Sequence, residues 1–176
     1  AAVLLATTVY GGENPIPRGS DWHYLDDGSD QGTAWRGVEF DDSAWSSGSA
    51  QLGYGDGDEA TVVSFGPNSA NKYVTTYFRK AFELGELERP MVLRILRDDG
   101  AAVYINGVEV FRSNMPAGEV GYQTLAAGVA GGAQESTEFL TAAVPPEVFR
   151  VGLNLVAVEV HQVSRMSSDI SFDLEL

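Results

Sequence analysis

The tightest constraint in this chain is Asn106-Gly107, set between two alternating apolar runs. A two-residue type I′ turn needs positive φ at both central positions. Asn tolerates this and Gly adopts it freely, so the pair predicts a β-hairpin. Val103, Ile105, Val108 and Val110 take the apolar positions around the turn, with Tyr104 and Glu109 between them. That alternation predicts a half-buried strand pair. Just upstream, Asp98-Asp99-Gly100 offers side-chain acceptors and a residue suited to reversal. Residues 91–112 therefore read as three extended runs back to back, the core of an antiparallel β-domain.

The rest of the chain agrees. With 176 residues it is long enough to bury about two-thirds of its unfolded surface in one domain, so 1–176 is expected to be a single module. Turn residues interrupt every stretch, and 20 glycines accompany 8 Phe, 7 Tyr and 3 Trp, the mixture of an all-β sandwich or barrel. A formal charge of −14 repels nucleic acid and anionic membrane surfaces, so neither is an expected partner. No run approaches the ~20 apolar residues of a membrane span. Cysteine is absent, which removes disulfides, thiolate zinc sites and cysteine nucleophiles. The opening Ala1-Ala2-Val3-Leu4-Leu5 has neither Met nor a basic region, and it suggests a segment of a longer or processed protein.

Taken in order, residues 2–10 are expected to form a strand, as are 22–25. Residues 40–45 are expected to form one Asp-capped helical turn with Trp45 in the core. A glycine-punctuated loop spans 51–59 and a strand follows at 61–65. The long strand 74–84 should place Tyr77, Arg79 and Ala81 on one face and Phe78, Lys80 and Phe82 on the other. Residues 113–135 read as loop, 137–144 as strand or mixed, 145–149 as a short helical turn, and 155–162 and 170–176 as strands. Nine or ten strands with little helix predict a two-sheet, jelly-roll-like sandwich.

Several stretches also carry a family resemblance. Phe-Asp-Asp-Ser-Ala-Trp (40–45) precedes Leu-Gly-Tyr-Gly-Asp-Gly (52–57) and Thr-Tyr-Phe-Arg-Lys-Ala-Phe (76–82). Leu-Arg-Asp-Asp-Gly-Ala-Ala-Val-Tyr-Ile-Asn-Gly (96–107) and Gly-Leu-Asn-Leu-Val-Ala-Val-Glu-Val-His-Gln (152–162) follow. This order, covering roughly residues 20–176, resembles the galactose-binding-domain-like β-sandwich modules appended to extracellular hydrolases and large surface proteins. It is similar to the sugar-binding accessory domains of β-galactosidase and rhamnosidase relatives. The resemblance implies a non-catalytic, secreted module of bacterial type that binds a glycan or polysaccharide, sits beside other domains of its parent chain, and often holds a structural calcium ion. The alternative is a structural or adhesive spacer packed on a neighbouring catalytic domain.

The candidate residues follow from chemistry. Calcium takes six to eight hard oxygens, which clustered carboxylates in glycine-rich loops supply. The candidates are Asp26, Asp27 and Asp30, and Asp56, Asp58 and Glu59, with turn capping as the ordinary use of the same residues. Sugar rings stack on aromatic faces, which nominates the loop-proximal Trp22, Tyr24, Trp35, Tyr54 and Tyr73, with Tyr122 beside them. Arg97 and Asp99 are the polar candidates for sugar hydroxyls. Trp45, Phe78, Phe82, Phe139 and Phe172 are expected in the core. His161 with Ser164, Ser167, Ser168 and Asp169 permits a Ser-His-Asp set on paper, but no nucleophile elbow accompanies it, so catalysis is not expected.

Overall fold

The computed structural model describes residues 14–85, 90–132 and 137–176. The strand expected at 2–10 lies outside them. Eleven strands are described: β1 (Asp21–Leu25), β2 (Ser46–Ser49), β3 (Leu52–Tyr54), β4 (Thr61–Val62), β5 (Thr75–Leu84), β6 (Met91–Asp98), β7 (Gly100–Ile105), β8 (Val108–Ser113), β9 (Leu140–Val144), β10 (Gly152–His161) and β11 (Ile170–Glu175). The helical content described is two 3₁₀ turns, Ala34–Arg36 and Pro146–Val148, the second of them where Pro145-Pro146 predicts it. The sheets run β2-β1-β5-β10-β7-β8 and β4-β3-β11-β6-β9. All pairings are antiparallel except β3 with β4. The all-β, jelly-roll-like sandwich expected from the sequence is the fold observed.

Between the sheets the core is built from alternate residues of each strand. Phe78 stacks on Phe172 at 4.1 Å and Trp22 meets the edge of Phe172 at 4.9 Å. Phe82, Leu93, Ile95, Val103, Ile105, Val156 and Val158 fill the space around them. Phe78, Phe82 and Phe172 are core residues as expected. Phe139 is not; it is half-buried and capped by the Arg18 guanidinium at 3.7 Å.

A second apolar cluster changes the expectation for the hairpin. Trp35, Tyr77, Ala102, Tyr104, Tyr122, Leu155 and Ala157 pack on the outer face of the first sheet, beneath residues 34–45 and the loop after β8. β7 is therefore buried on both faces rather than half-buried. The missing cue is that Tyr104 is amphipathic: its ring packs against Trp35 while its hydroxyl donates to Glu159 at 2.7 Å. Residues 40–45 form a turn, not a helical turn. Asp41 Oδ1 accepts from the Ser43 N–H at 3.0 Å, so the expected Asp cap is present without the helix. Trp45 is half-buried against Phe40 and Tyr77, in the outer cluster.

Candidate functional site

The structure distributes the candidate residues over its clusters and loops, and a cleft among the described residues lies apart from them. Trp22 and Trp35 lie within the two apolar clusters and present no face to a sugar ring. Tyr54 is also buried; its hydroxyl accepts from Gln162 Nε2 and its ring meets Phe65 edge-on at 5.3 Å. Tyr24 is half-buried against the inter-sheet core. Tyr73 is half-buried, and its ring lies so close to the chain that a Cβ on Gly28 would come within 2.3 Å of it, and one on Gly66 within 2.8 Å. Both glycines also have positive φ, so the ring is sandwiched between two backbones that only glycine can form. Trp22, Trp35, Tyr54 and Tyr122 are thus buried within the molecule, where their apolar area is better placed than in water, while Tyr24 and Tyr73 keep part of their surface exposed.

Arg97 and Asp99 are likewise internal. Burial pushes the Arg97 guanidinium down from its ordinary value, with Asp98, Asp99 and Glu138 opposing that shift, and Nε donates to Ser113 Oγ at 3.1 Å. Asp99 is a hub. Its carboxylate accepts from the Ala130 N–H at 3.0 Å, the Val163 N–H at 2.8 Å and Ser167 Oγ at 3.1 Å. Its carbonyl accepts from Asn114 Nδ2, which also donates to Gly128 O. One buried side chain thereby ties three connections together at one end of the sandwich.

The paper triad does not assemble. The ring of His161 is fully buried, with Nδ1 2.9 Å from Thr75 Oγ and 2.7 Å from Thr124 O, and Nε2 3.3 Å from Glu159 Oε2. Ser167 and Ser168 hydrogen-bond to Asp99 and Asp169 instead.

The first acidic set does not converge either. Asp27 accepts from the Ser29 N–H and hydroxyl and Asp30 from the Gly32 N–H, so these two cap their own turns, while Asp26 accepts from the Ser64 N–H and ties its loop to a distant one. The second set does converge. Ligand atoms of Asp56, Asp58 and Glu59 lie within 4.8 Å of one another, the one group of three or more potential metal-ligating residues found among the described residues. Glu59 Oε1 and Oε2 accept from the Asp56 and Gly57 N–H groups, each at 3.0 Å, and Asp56 Oδ2 accepts from Ser171 Oγ at 3.2 Å. Three hard oxygen donors on an exposed, glycine-containing loop fit calcium chemistry, with water left to complete the coordination.

Sequence reasoning missed the cleft. It is about 440 Å³ in volume and opens beside β1, β2 and β5, lined by Asp21, His23, Asp42, Ser47, Arg79, Lys80 and Ala81. Strand register produces it: His23 lies opposite Ser47 on one side and Arg79 on the other. Arg79 is buried and pins the covering segment. Nε donates to Asp42 Oδ2 at 2.7 Å, while the two terminal nitrogens donate to the carbonyls of Trp35, Gly37 and Phe40. Asp42 Oδ1 lies 3.1 Å from His23 Nδ1, and the His23 side chain is 50% exposed. Burial alone would raise the Asp42 pKa, but Arg79 and His23 outweigh it and hold the carboxyl below the usual range. Lys80 Nζ donates to Asp21 O at 2.9 Å, and the Asp21 carboxylate accepts from Ser49 Oγ. Alternation along 21–23 and 79–81 was the only sequence signal, and the pairing partner Ser46–Ser49 has too much Ser and Gly to read as a strand.

No family model matches this chain, and no curated protein sequence matches it. Solved structures do. The chain superposes on part of a beta-glucuronidase from glycoside hydrolase family 2 with a TM-score of 0.50 and 20% identity over 84% of this chain. It superposes on part of a beta-glycosidase from Bacteroides vulgatus with a TM-score of 0.53 and 16% identity over 93% of this chain. For Bacteroides uniformis beta-glucuronidase the values are 0.54 and 16% over 89%. The likeness is one of fold. This chain spans 13%, 20% and 17% of those three chains, so what it matches is a small β-sandwich portion of each. Among the described residues no helix is long and apolar enough to cross a membrane.

Proposed function

We propose that residues 1–176 are a single non-catalytic accessory module of a secreted multidomain glycosidase, and that the module binds a glycan. The observation that carries this reading is the cleft beside β1, β2 and β5. It brings carboxylate, imidazole, hydroxyl and ammonium groups together at an open surface, and sugar hydroxyls need both donors and acceptors. The recurrence of the same sandwich inside larger glycosidases supports the setting, as an analogy of fold. The sugar contacts are then His23, Ser47, Asp21 and Lys80, with Arg79 and Asp42 holding the wall. The resemblance to galactose-binding-type modules agrees with this use of the fold.

Calcium, when bound, would be held by Asp56, Asp58 and Glu59 and would brace the loop after β3. It is a structural ion in this reading and takes no part in sugar recognition.

The test is titration calorimetry of the intact chain against a panel of neutral and acidic oligosaccharides, with a Ser47→Trp variant that fills the cleft from an exposed edge strand. Binding by the parent chain, and its loss in S47W with an unchanged melting temperature, is the expected result. Binding that survives in S47W would move the site elsewhere, and a silent panel would sink the reading.

A second reading, a spacer packed on a neighbouring domain, is favoured by one feature. Leu125, Val129 and Met166 are exposed, at 41%, 77% and 73%, on loops gathered around Asp99. Replacing all three with Ser would leave glycan binding untouched under the first reading and would weaken attachment to the neighbouring domain under the second.

A further inference from the structure

On the outer face of the second sheet, two guanidinium groups stand beside one aromatic ring. Arg94 of β6 is paired with Glu175 of β11 on one side and Thr141 of β9 on the other. Directly opposed residues of neighbouring strands share a face. Phe172 and Leu174 point into the core, so Glu175 and its row point away from it. Phe139, just before β9, has the Arg18 guanidinium 3.7 Å from its ring centre and that of Arg94 at 5.7 Å. The Glu175 carboxylate joins the two cations: Oε1 accepts from Arg94 Nη1, and Oε2 lies 4.0 Å from Arg18 Nε.

The segment that carries Arg18 is held in place by its neighbours. Ile16 exchanges backbone hydrogen bonds with Leu176, and Ser20 Oγ donates to Pro17 O at 2.6 Å. The buried Asp173 accepts from the Gly19 and Leu174 N–H groups, so its hydrogen bonds go to backbone and not to either guanidinium. A guanidinium is a fork of five N–H donors. Among the described residues Arg94 commits only Nη1, to Glu175. The Arg18 approach at 4.0 Å is an ion pair, too long for a hydrogen bond. The Arg94 side chain is 43% exposed and that of Arg18 50%, so two fixed forks keep most of their donors unspent at the surface.

We propose that Arg18 and Arg94 form a second glycan contact, selective for an oxyanion carried by the sugar, a carboxylate or a sulfate ester. Glu175 shows that an oxyanion fits between the two forks, and the ligand takes the N–H groups that Glu175 leaves. Guanidinium suits the task because its planar fork can give two parallel, charge-assisted hydrogen bonds to such a group. The Phe139 ring steadies the Arg18 cation from one side. A formal charge of −14 opposes anions at long range, so contact at these two residues supplies the selection. The contact is independent of the cleft, which opens on the first sheet.

The experiment is calorimetric titration of the Ser47→Trp chain, whose cleft is filled, at about pH 7 and constant ionic strength. The ligands are trigalacturonide, its neutral methyl ester, and a κ-carrageenan oligosaccharide that carries sulfate esters and no carboxylate. At least one acidic ligand is expected to bind S47W and the ester is not, and which acid binds names the oxyanion. Survival confined to acidic glycans thus marks this contact and not a displaced cleft. Adding Arg94→Gln or Arg18→Gln is expected to lower that affinity about tenfold with the melting temperature unchanged. Adding Glu175→Gln removes the competing carboxylate and is expected to raise it about threefold, a gain that damaged packing does not imitate. Silence of both acids in S47W, equal binding of acid and ester there, or unchanged affinity in R94Q and R18Q would overturn the inference. None of these touches the cleft, whose reading stands or falls on neutral glycans and the parent chain.

Discussion

At the scale of single residues, two buried aspartates do opposite things. Asp173 lies against the segment before β1, where both oxygens accept from the Gly19 N–H and Oδ1 from the Leu174 N–H. Burial raises its pKa above the ordinary carboxylate value despite those donors. A carboxyl with a raised folded pKa adds stability below its unfolded pKa, and that contribution is lost as pH rises through the folded value. Asp173→Asn keeps an accepting oxygen and abolishes the titration. The variant is therefore expected to be more stable relative to the parent at about pH 7 than at about pH 4, read from urea midpoints. Asp99, by contrast, acts as a tie: three donors converge on its side chain. Asp99→Asn would set an NH₂ against one of them and is expected to cost about 2–3 kcal/mol in the same unfolding measurement.

At the scale of elements, backbone approach decides as much as side-chain packing. A Cβ on Gly53 would sit 2.0 Å from the Ile170 carbonyl, so β3 lies against β11 only because residue 53 has none. Gly53→Ala is expected to push the two strands apart and to lower stability by about 3 kcal/mol, the upper end for an overpacked site, measured by thermal unfolding. This is also where the sequence reading stops. β5, β6, β7, β8, β10 and β11 were legible from alternation and from the Asn106-Gly107 turn, since both signals are local. β2 and β3 were not, because Ser46–Ser49 and Leu52–Tyr54 are held in strands by partners distant in sequence, not by their own propensity. The burial of Trp22, Trp35, Tyr54 and Tyr122 was illegible for a related reason: proximity to a loop says nothing about whether another segment will cover the ring. The cleft was illegible because it depends on His23, Ser47 and Arg79 coming into one row, a fact of register alone.

At the scale of the whole molecule, the first sheet is the middle of three layers. One face packs on the second sheet, and the other lies under residues 34–45 and the loop after β8. The 25 acids are spread along the chain, and calcium is expected to act locally, at Asp56, Asp58 and Glu59. A thermal melt with excess calcium is expected to exceed the melt with chelator by several degrees, following mass action, and Asp58→Ala is expected to erase the difference. An identical melt in both conditions would return Asp56, Asp58 and Glu59 to turn capping.

The Arg79 guanidinium joins the outer layer to the cleft: the same group that holds the carbonyls of Trp35, Gly37 and Phe40 also fixes Asp42 beside His23. In mechanical terms it is a rivet through two plates. Excursions in which the outer plate lifts, less costly than complete unfolding, take the binding wall with them. A ligand lodged at His23 would therefore clamp a stretch it never touches, and its arrival would be audible as slowed amide exchange across residues 34–45.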